Sequence, residues 1–272
     1  MTDTWKFHTL PAQPRSPQVL LFVFATGSLG GDAVLSLERF GAPSEQALAQ
    51  CTLRTIERAI DPRWFDAWRQ GNLRAIAETD LGDHLAQLDA ADHVHVIRSE
   101  PDAPGDLSYL QAAWAIARYL VDRGASIVLD AHAMRYLRAD SLTAPEAALD
   151  VAHEVRVVYE TDATRASGAH AIHTRGMRKF GAPDLIALCT DADARFIAHV
   201  MTELAEAVAC GTDLATPKHA VHVAAGVTWV AVEDEHRLGE VLQLGNAARV
   251  LVDESGHDLI GILGRLPRAE KA

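Results

Sequence analysis

Residues 93–130, HVHVIRSEPDAPGDLSYLQAAWAIARYLVDRGASIVLD, decide the fold class. The run from His93 to Arg98 predicts a strand. Pro101-Asp102-Ala103-Pro104-Gly105 reads as a turn. Asp106 is placed to cap a helix in which Leu107, Leu110, Trp114, Ala117 and Val121 recur at helical spacing, and Gly124 stops it. Ser126 to Asp130 then reads as a short buried strand. Strand, helix and strand of these lengths form a βαβ unit, for which parallel pairing is expected.

Upstream, Val19-Leu20-Leu21-Phe22-Val23-Phe24-Ala25 predicts a buried strand that ends in a turn at Gly27, Gly30 and Gly31. A helix is expected from Ser44 to Ile60, with Leu48, Ile56 and Ile60 inward and Pro62 at its end. Trp64, Phe65 and Trp68 open another apolar-faced segment, and Trp114 joins the core. The five acids between Glu78 and Asp92 predict a solvated face or loop. Downstream, Glu154–Glu160, Ala169–Met177 and Asp184–Cys189 read as strands. Thr190 and Asp193 then form a capping box for a helix to Cys210, with Phe196, Val200, Leu204 and Val208 inward. Further strands are expected near 219–224, 227–233, 248–253 and 258–263. The pattern predicts a mixed α/β (α+β) protein of two packed lobes, each a twisted mixed sheet covered by one or two helices. The lobes span 19–135 and 152–265, after an irregular arm over 1–18 and before a polar tail over 266–272.

The totals narrow the function classes. A chain of 272 residues builds its core without staples. Its formal net charge of −12 argues against nucleic-acid binding and against adsorption to anionic membrane. Cys51, Cys189 and Cys210 form no C-x-x-C pair, so neither a disulfide framework nor a thiolate zinc site is indicated, and a reduced cytoplasmic compartment is expected. The apolar run at 19–25 is too short to span a bilayer. It follows Pro11, Pro14 and Pro17 rather than the basic start of a signal peptide.

The segment from His170 to Leu185, HAIHTRGMRKFGAPDL, stands apart. No acid lies between Asp162 and Asp184, whereas Arg165, Arg175, Arg178 and Lys179 are basic, a local reversal of sign. Arginine forks hold carboxylates and phosphates, and Gly176 and Gly181 let a backbone approach closely. An anion-accepting turn formed by His170, His173, Arg175, Gly176, Arg178 and Lys179 is the functional reading. A solvated hairpin whose glycines serve turn geometry accounts for the same residues. The pattern H-T-x-G-M-x-x-F-G-x-P-D-L resembles the signature of a bacterial family catalogued as a domain of unknown function. That resemblance covers residues 19–225 and implies the fold: an amino-terminal strand, a helix like 106–123 feeding a short strand, and a helix like 191–210. It implies no catalytic residues.

Thirteen histidines raise the question of metal. His93 and His95 share a strand face but lack a third ligand, while His170 and His173, like His219 and His222, fall on opposite faces of a strand. No H-E-x-x-H occurs, so no metal or other cofactor is expected. Thr26-Gly27-Ser28-Leu29-Gly30 approaches a nucleophile elbow but has Thr at the first Gly position. Asp130 and His132 share a face at a strand end, a common place for a working pair. The leading expectation is a binding or interaction module that uses the 170–185 turn against an anionic small molecule or protein partner. The first alternative is a hydrolase or transferase with His173 as acid–base, Arg175 and Arg178 holding the substrate, and Asp130 or Asp184 orienting the histidine. The second is a purely structural motif in a protein that works through an oligomeric surface.

Overall fold

Seven consecutive residues with no charge, Val19–Ala25, form β1, and all but Leu20 are buried. A strand buried on both faces belongs in the middle of a sheet, and β1 takes that position. The computed structural model describes residues 3–29, 34–164, 169–214, 216, 218–224 and 227–266. Gly30, Gly31, Arg165 and residues 267–272 lie outside the described residues.

The chain is mixed α+β and divides into two units. The first comprises Met1–His8, Pro14–Asp150 and Lys179–Gly181; the second comprises Thr9–Gln13, Val151–Arg178 and Ala182–Ala272. After β1 the first unit contains α1 (Leu37–Phe40), α2 (Glu45–Ala49), β2 (Cys51–Glu57), α3 (Pro62–Ala67), α4 (Gly71–Leu81) and α5 (Leu85–Ala90). Then follow β3 (His93–Ser99), α6 (Ser108–Asp122), β4 (Ile127–Asp130) and β5 (Arg135–Arg138). Its sheet has the order β2-β3-β1-β4-β5 and is antiparallel throughout. The expected parallel pairing within 93–130 is therefore corrected. The β3 and β4 strands run the same way, but the more apolar β1 lies between them.

The two faces of this sheet are covered differently. Phe22 and Phe24 of β1 join Val94, Ile127, Leu129 and Tyr136 in a core closed by Phe65, Leu81 and Leu88 from α3, α4 and α5. On the other face α6 packs against β1, β2 and β3. Helices thus cover both faces, more than the one or two expected. Asp106 Oδ1 accepts from Ser108 N at 2.9 Å, and Gly124 ends the helix at φ +108°. Trp5, in the expected irregular arm, is buried; its ring Nε1 donates to Ala147 O at 3.0 Å.

The helix expected over 44–60 is not formed. The chain makes one short helix to Ala49 and then the edge strand β2, paired with β3 from Cys51↔Ser99 to Glu57↔His93. Thr52, Thr55 and Ile56 are β-branched and favour that outcome. Ile60 is consequently 76% exposed rather than inward. The acidic stretch 78–92 is largely helical, and Asp89 there accepts from Arg74.

The second unit holds α7 (Val151–Glu154), β6 (Arg156–Thr164), β7 (Ala169–Arg175), a 3-10 turn entered at Met177, β8 (Asp184–Cys189) and α8 (Asp191–Ala209). It continues through β9 (Lys218–Ala224), β10 (Val227–Glu233), α9 (Leu238–Val241), β11 (Ala248–Asp253) and α10 (Ile262–Arg265). The sheet order is β6-β7-β8-β11-β10-β9, mixed because only β8 and β11 are parallel. The α8 helix packs against β6, β7 and β8. Its buried stripe is Ile197, Val200, Met201, Ala205 and Val208; Phe196 and Leu204 are half-buried at its margin. The Thr190 hydroxyl donates to Asp193 Oδ2 at 2.6 Å instead of accepting from a helix amide. Asp193 also accepts from Gly261 N at 2.7 Å and Leu263 N at 3.1 Å, which winds 262–265 into α10 where a strand is expected. Among the described residues no helix is long and apolar enough to cross a membrane.

Chemical denaturation of Phe24→Ala and Ile60→Ala distinguishes these roles. The first, emptying a fully buried site, is expected to cost about 3–5 kcal/mol. The second is expected to change stability by less than about 0.5 kcal/mol, whereas an inward Ile60 would cost several times that.

Candidate functional site

The segment singled out in the sequence runs from β7 through the 3-10 turn into β8. Its two strands pair antiparallel from His170↔Cys189 to His173↔Ile186. Beyond that register the ladder is continued by a side chain. Thr174 Oγ1 accepts from Leu185 N at 2.8 Å and donates to Asp184 Oδ1 at 3.0 Å. Met177 N also points at Asp184 Oδ1, at 3.4 Å, and Asn246 Nδ2 donates to Asp184 Oδ2 at 2.8 Å and to Ala182 O at 3.0 Å. Gly176 turns the chain at φ +111°, a conformation that side chains with a Cβ rarely adopt. Burial pushes the Asp184 carboxyl up to about 6, against the opposing effect of those hydrogen bonds.

The segment's cations have separate fates. Lys179, expected among the anion ligands, is fully enclosed in the first unit. Its Nζ contacts Asp130 Oδ2, with both side chains essentially inaccessible, and lies 5.9 Å from the Trp114 ring centroid. Asp130 Oδ1 accepts from His132 N and Ala133 N, each at 3.1 Å. Asp130 is thus committed to closing a turn and holding a buried ammonium. Arg175 and Arg178 behave differently. Arg175 donates from Nη2 to Leu242 O at 2.7 Å and from Nη1 to Gln243 O at 3.2 Å, and Arg178 donates from Nη1 to Gly245 O at 2.8 Å. Both are half-buried. Neither has a carboxylate within ion-pair distance among the described residues. Carbonyls orient a guanidinium but leave its charge in place. Arg156 lies directly across the β6–β7 ladder from Arg175. Like charges in that relation oppose sheet formation.

The histidines fall on opposite faces of β7, as their spacing requires. His170 is half-buried, 5.4 Å from the Tyr159 ring, with Nε2 3.4 Å from Asp191 Oδ1. His173 is fully enclosed. Its Nδ1 is 3.3 Å from Thr174 O, and its Nε2 stands 3.8 Å from Glu160 Oε1, too far for a hydrogen bond. Burial, and then the Arg175 charge, hold this imidazole below its ordinary range. The ring is closed off from solvent. Of the catalytic candidates, Asp130 and His132 belong to the first unit, and His173 and Asp184 to the second.

No three His, Cys, Asp or Glu residues group as a metal site among the described residues. His95 is bonded through Nδ1 to Thr55 Oγ1 at 2.9 Å, and His93 through Nδ1 to Asp92 Oδ1 at 2.6 Å. Sequence reasoning missed Asn246, Glu160, Arg156 and the 242–245 turn. Only β pairing or a distant loop brings these residues to the segment, and no local spacing signals them. Comparison of the chain with protein-family models, with curated proteins and with solved structures finds no match.

Two measurements test the buried charges. Lys179→Met leaves an uncompensated carboxylate and is expected to cost about 3–5 kcal/mol in guanidinium unfolding. Asp130→Asn combined with Lys179→Met is expected to recover a large part of that loss, since Asn keeps the acceptor for His132 N and Ala133 N. For Asp184, a raised folded-state pKa means that protonation favours the fold. Its contribution is full below the ordinary 3.8, is lost as pH rises to about 6, and is flat above. Stability relative to Asp184→Asn should therefore fall across that window; a constant difference would mean that the carboxyl titrates normally.

Proposed function

We propose that the protein is a binding or interaction module whose anion site is made by Arg175 and Arg178. One observation carries this reading: two guanidiniums are held by the main-chain carbonyls of a single turn, 242–245, and neither is ion-paired among the described residues. Such groups keep donors for a carboxylate or phosphate and lose little freedom on binding it. Lys179 and His173 drop out of the ligand set, because both are enclosed. Gly176 serves the turn, and His170 sits on the opposite face of the strand. The partner is an anionic small molecule or an acidic protein surface.

Three cysteines without a disulfide partner favour a reducing cytoplasm. The net charge of −12 disfavours nucleic acid as the partner. The H-T-x-G-M-x-x-F-G-x-P-D-L segment favours kinship with the bacterial family it resembles.

A thermal-shift series with inorganic phosphate, succinate and citrate tests the site. A ligand at a hundredfold excess over Kd stabilises by about 2.7 kcal/mol, which moves the midpoint of a domain this size by several degrees. At least one anion is expected to give that rise in the native chain, and Arg175→Lys and Arg178→Ala are expected to reduce or abolish it. Equal rises in all three proteins would remove the site.

A further inference from the structure

The first unit's sheet carries a second feature, independent of the arginines at 175 and 178. On the face that holds Phe22, the β2-β3-β1 ladder aligns three cross-strand rows: Thr52, Arg98 and Leu20; Arg54, Val96 and Phe22; Ile56, Val94 and Phe24. The helices from α3 to α5 close the third row, where Phe24 and Val94 are fully buried. The first two rows are left as the floor of a trough of about 710 Å³, walled by Trp64 of α3 and by Ile60. Trp64 lies 6.0 Å from the Phe22 ring. Its lining is divided evenly between apolar side chains and polar or charged ones, the make-up suited to a ligand with an apolar body and a charged group.

Charge is distributed unevenly along the trough. Arg54 and Arg98 stand on adjacent rows as diagonal neighbours, whereas Glu57 and Asp61 line it beyond them, toward α3. Arg54 has no hydrogen-bond or ion-pair partner among the described residues. The Arg98 side chain meets Glu100, at 2.5 Å. Arg54 and Arg98 put two guanidiniums on adjacent rows of one face, over apolar residues. They are complementary to a carboxylate whose hydrocarbon body lies on the floor.

We propose that this trough binds an amphipathic carboxylate, with its head between Arg54 and Arg98 and its apolar body along Leu20, Val96 and Trp64. Glu57 and Asp61 repel the head from the other end and so set the direction of binding.

Calorimetric titration of the full chain with sodium decanoate, below its micellar range, tests this against decylammonium and 1-decanol. Decanoate is expected to bind about tenfold or more tightly than decylammonium, the factor expected of one charge-assisted contact. Arg54→Ala/Arg98→Ala is expected to lose that preference, and the milder Arg54→Gln to weaken it. Arg175→Ala/Arg178→Ala is expected to keep it, which separates this site from the one proposed above. Absence of decanoate binding would overturn the inference. So would equal binding of the three ligands, or decanoate affinity that depends on Arg175 and Arg178 instead of Arg54 and Arg98. Circular dichroism of each variant checks that the sheet is intact; both trough arginines are exposed, so their removal leaves the core untouched.

Discussion

A carboxylate taken out of water must be given donors, and three enclosed aspartates organise this protein by meeting that demand. Asp130 gathers two backbone amides and the Lys179 ammonium. Asp184 gathers a hydroxyl, an amide and a side-chain amide from Asn246. Asp193 gathers the Thr190 hydroxyl and two amides at the start of α10. Each pins a turn or chain end that apolar packing alone would leave undetermined. The apolar strands supply most of the stabilisation, and the aspartates fix how the connections run.

The same logic separates structural cations from those free to act. Lys179 is spent on Asp130, and its burial is tolerable only because that partner is present. Arg175 and Arg178 satisfy hydrogen bonds with carbonyls, which hold them in position without cancelling their charge. A hydrogen-bonded guanidinium and a neutralised one are different things, and the candidate site rests on that difference. The motif is thus mainly architectural, with Thr174, Gly176, Met177, Lys179 and Asp184 each serving the turn or the core. Arg175 and Arg178 instead bond to the carbonyls of the 242–245 turn.

How much could be read beforehand follows from where the information lies. The β1 run, the α6 spacing and the two strands that flank the Gly181 turn are local patterns and were legible. The edge strand β2 was not, because Leu48, Ile56 and Ile60 imitate helical spacing, while its strand character depends on β3, about forty residues away. The antiparallel arrangement was missed because nothing within 93–130 reveals that β1 lies between its two strands. The α10 helix depends on a bond to Asp193. For the candidate site, the change of charge sign between Asp162 and Asp184 singles out the 170–185 segment. Which cations were already engaged depended on Asp130, Gln243 and Gly245, all remote in sequence.

The assignment of Lys179–Gly181 to the first unit bears on the order in which the chain matures. On the ribosome Asp130 is made forty-nine residues before the lysine that compensates it. Domains ordinarily fold as they emerge, amino-terminal first. Here the earlier unit lacks its internal counter-ion until the first strands of the later one have been synthesised. A ribosome stalled ahead of residue 179 would present a first unit whose Asp130 carboxylate has its two turn amides and not yet its ammonium partner.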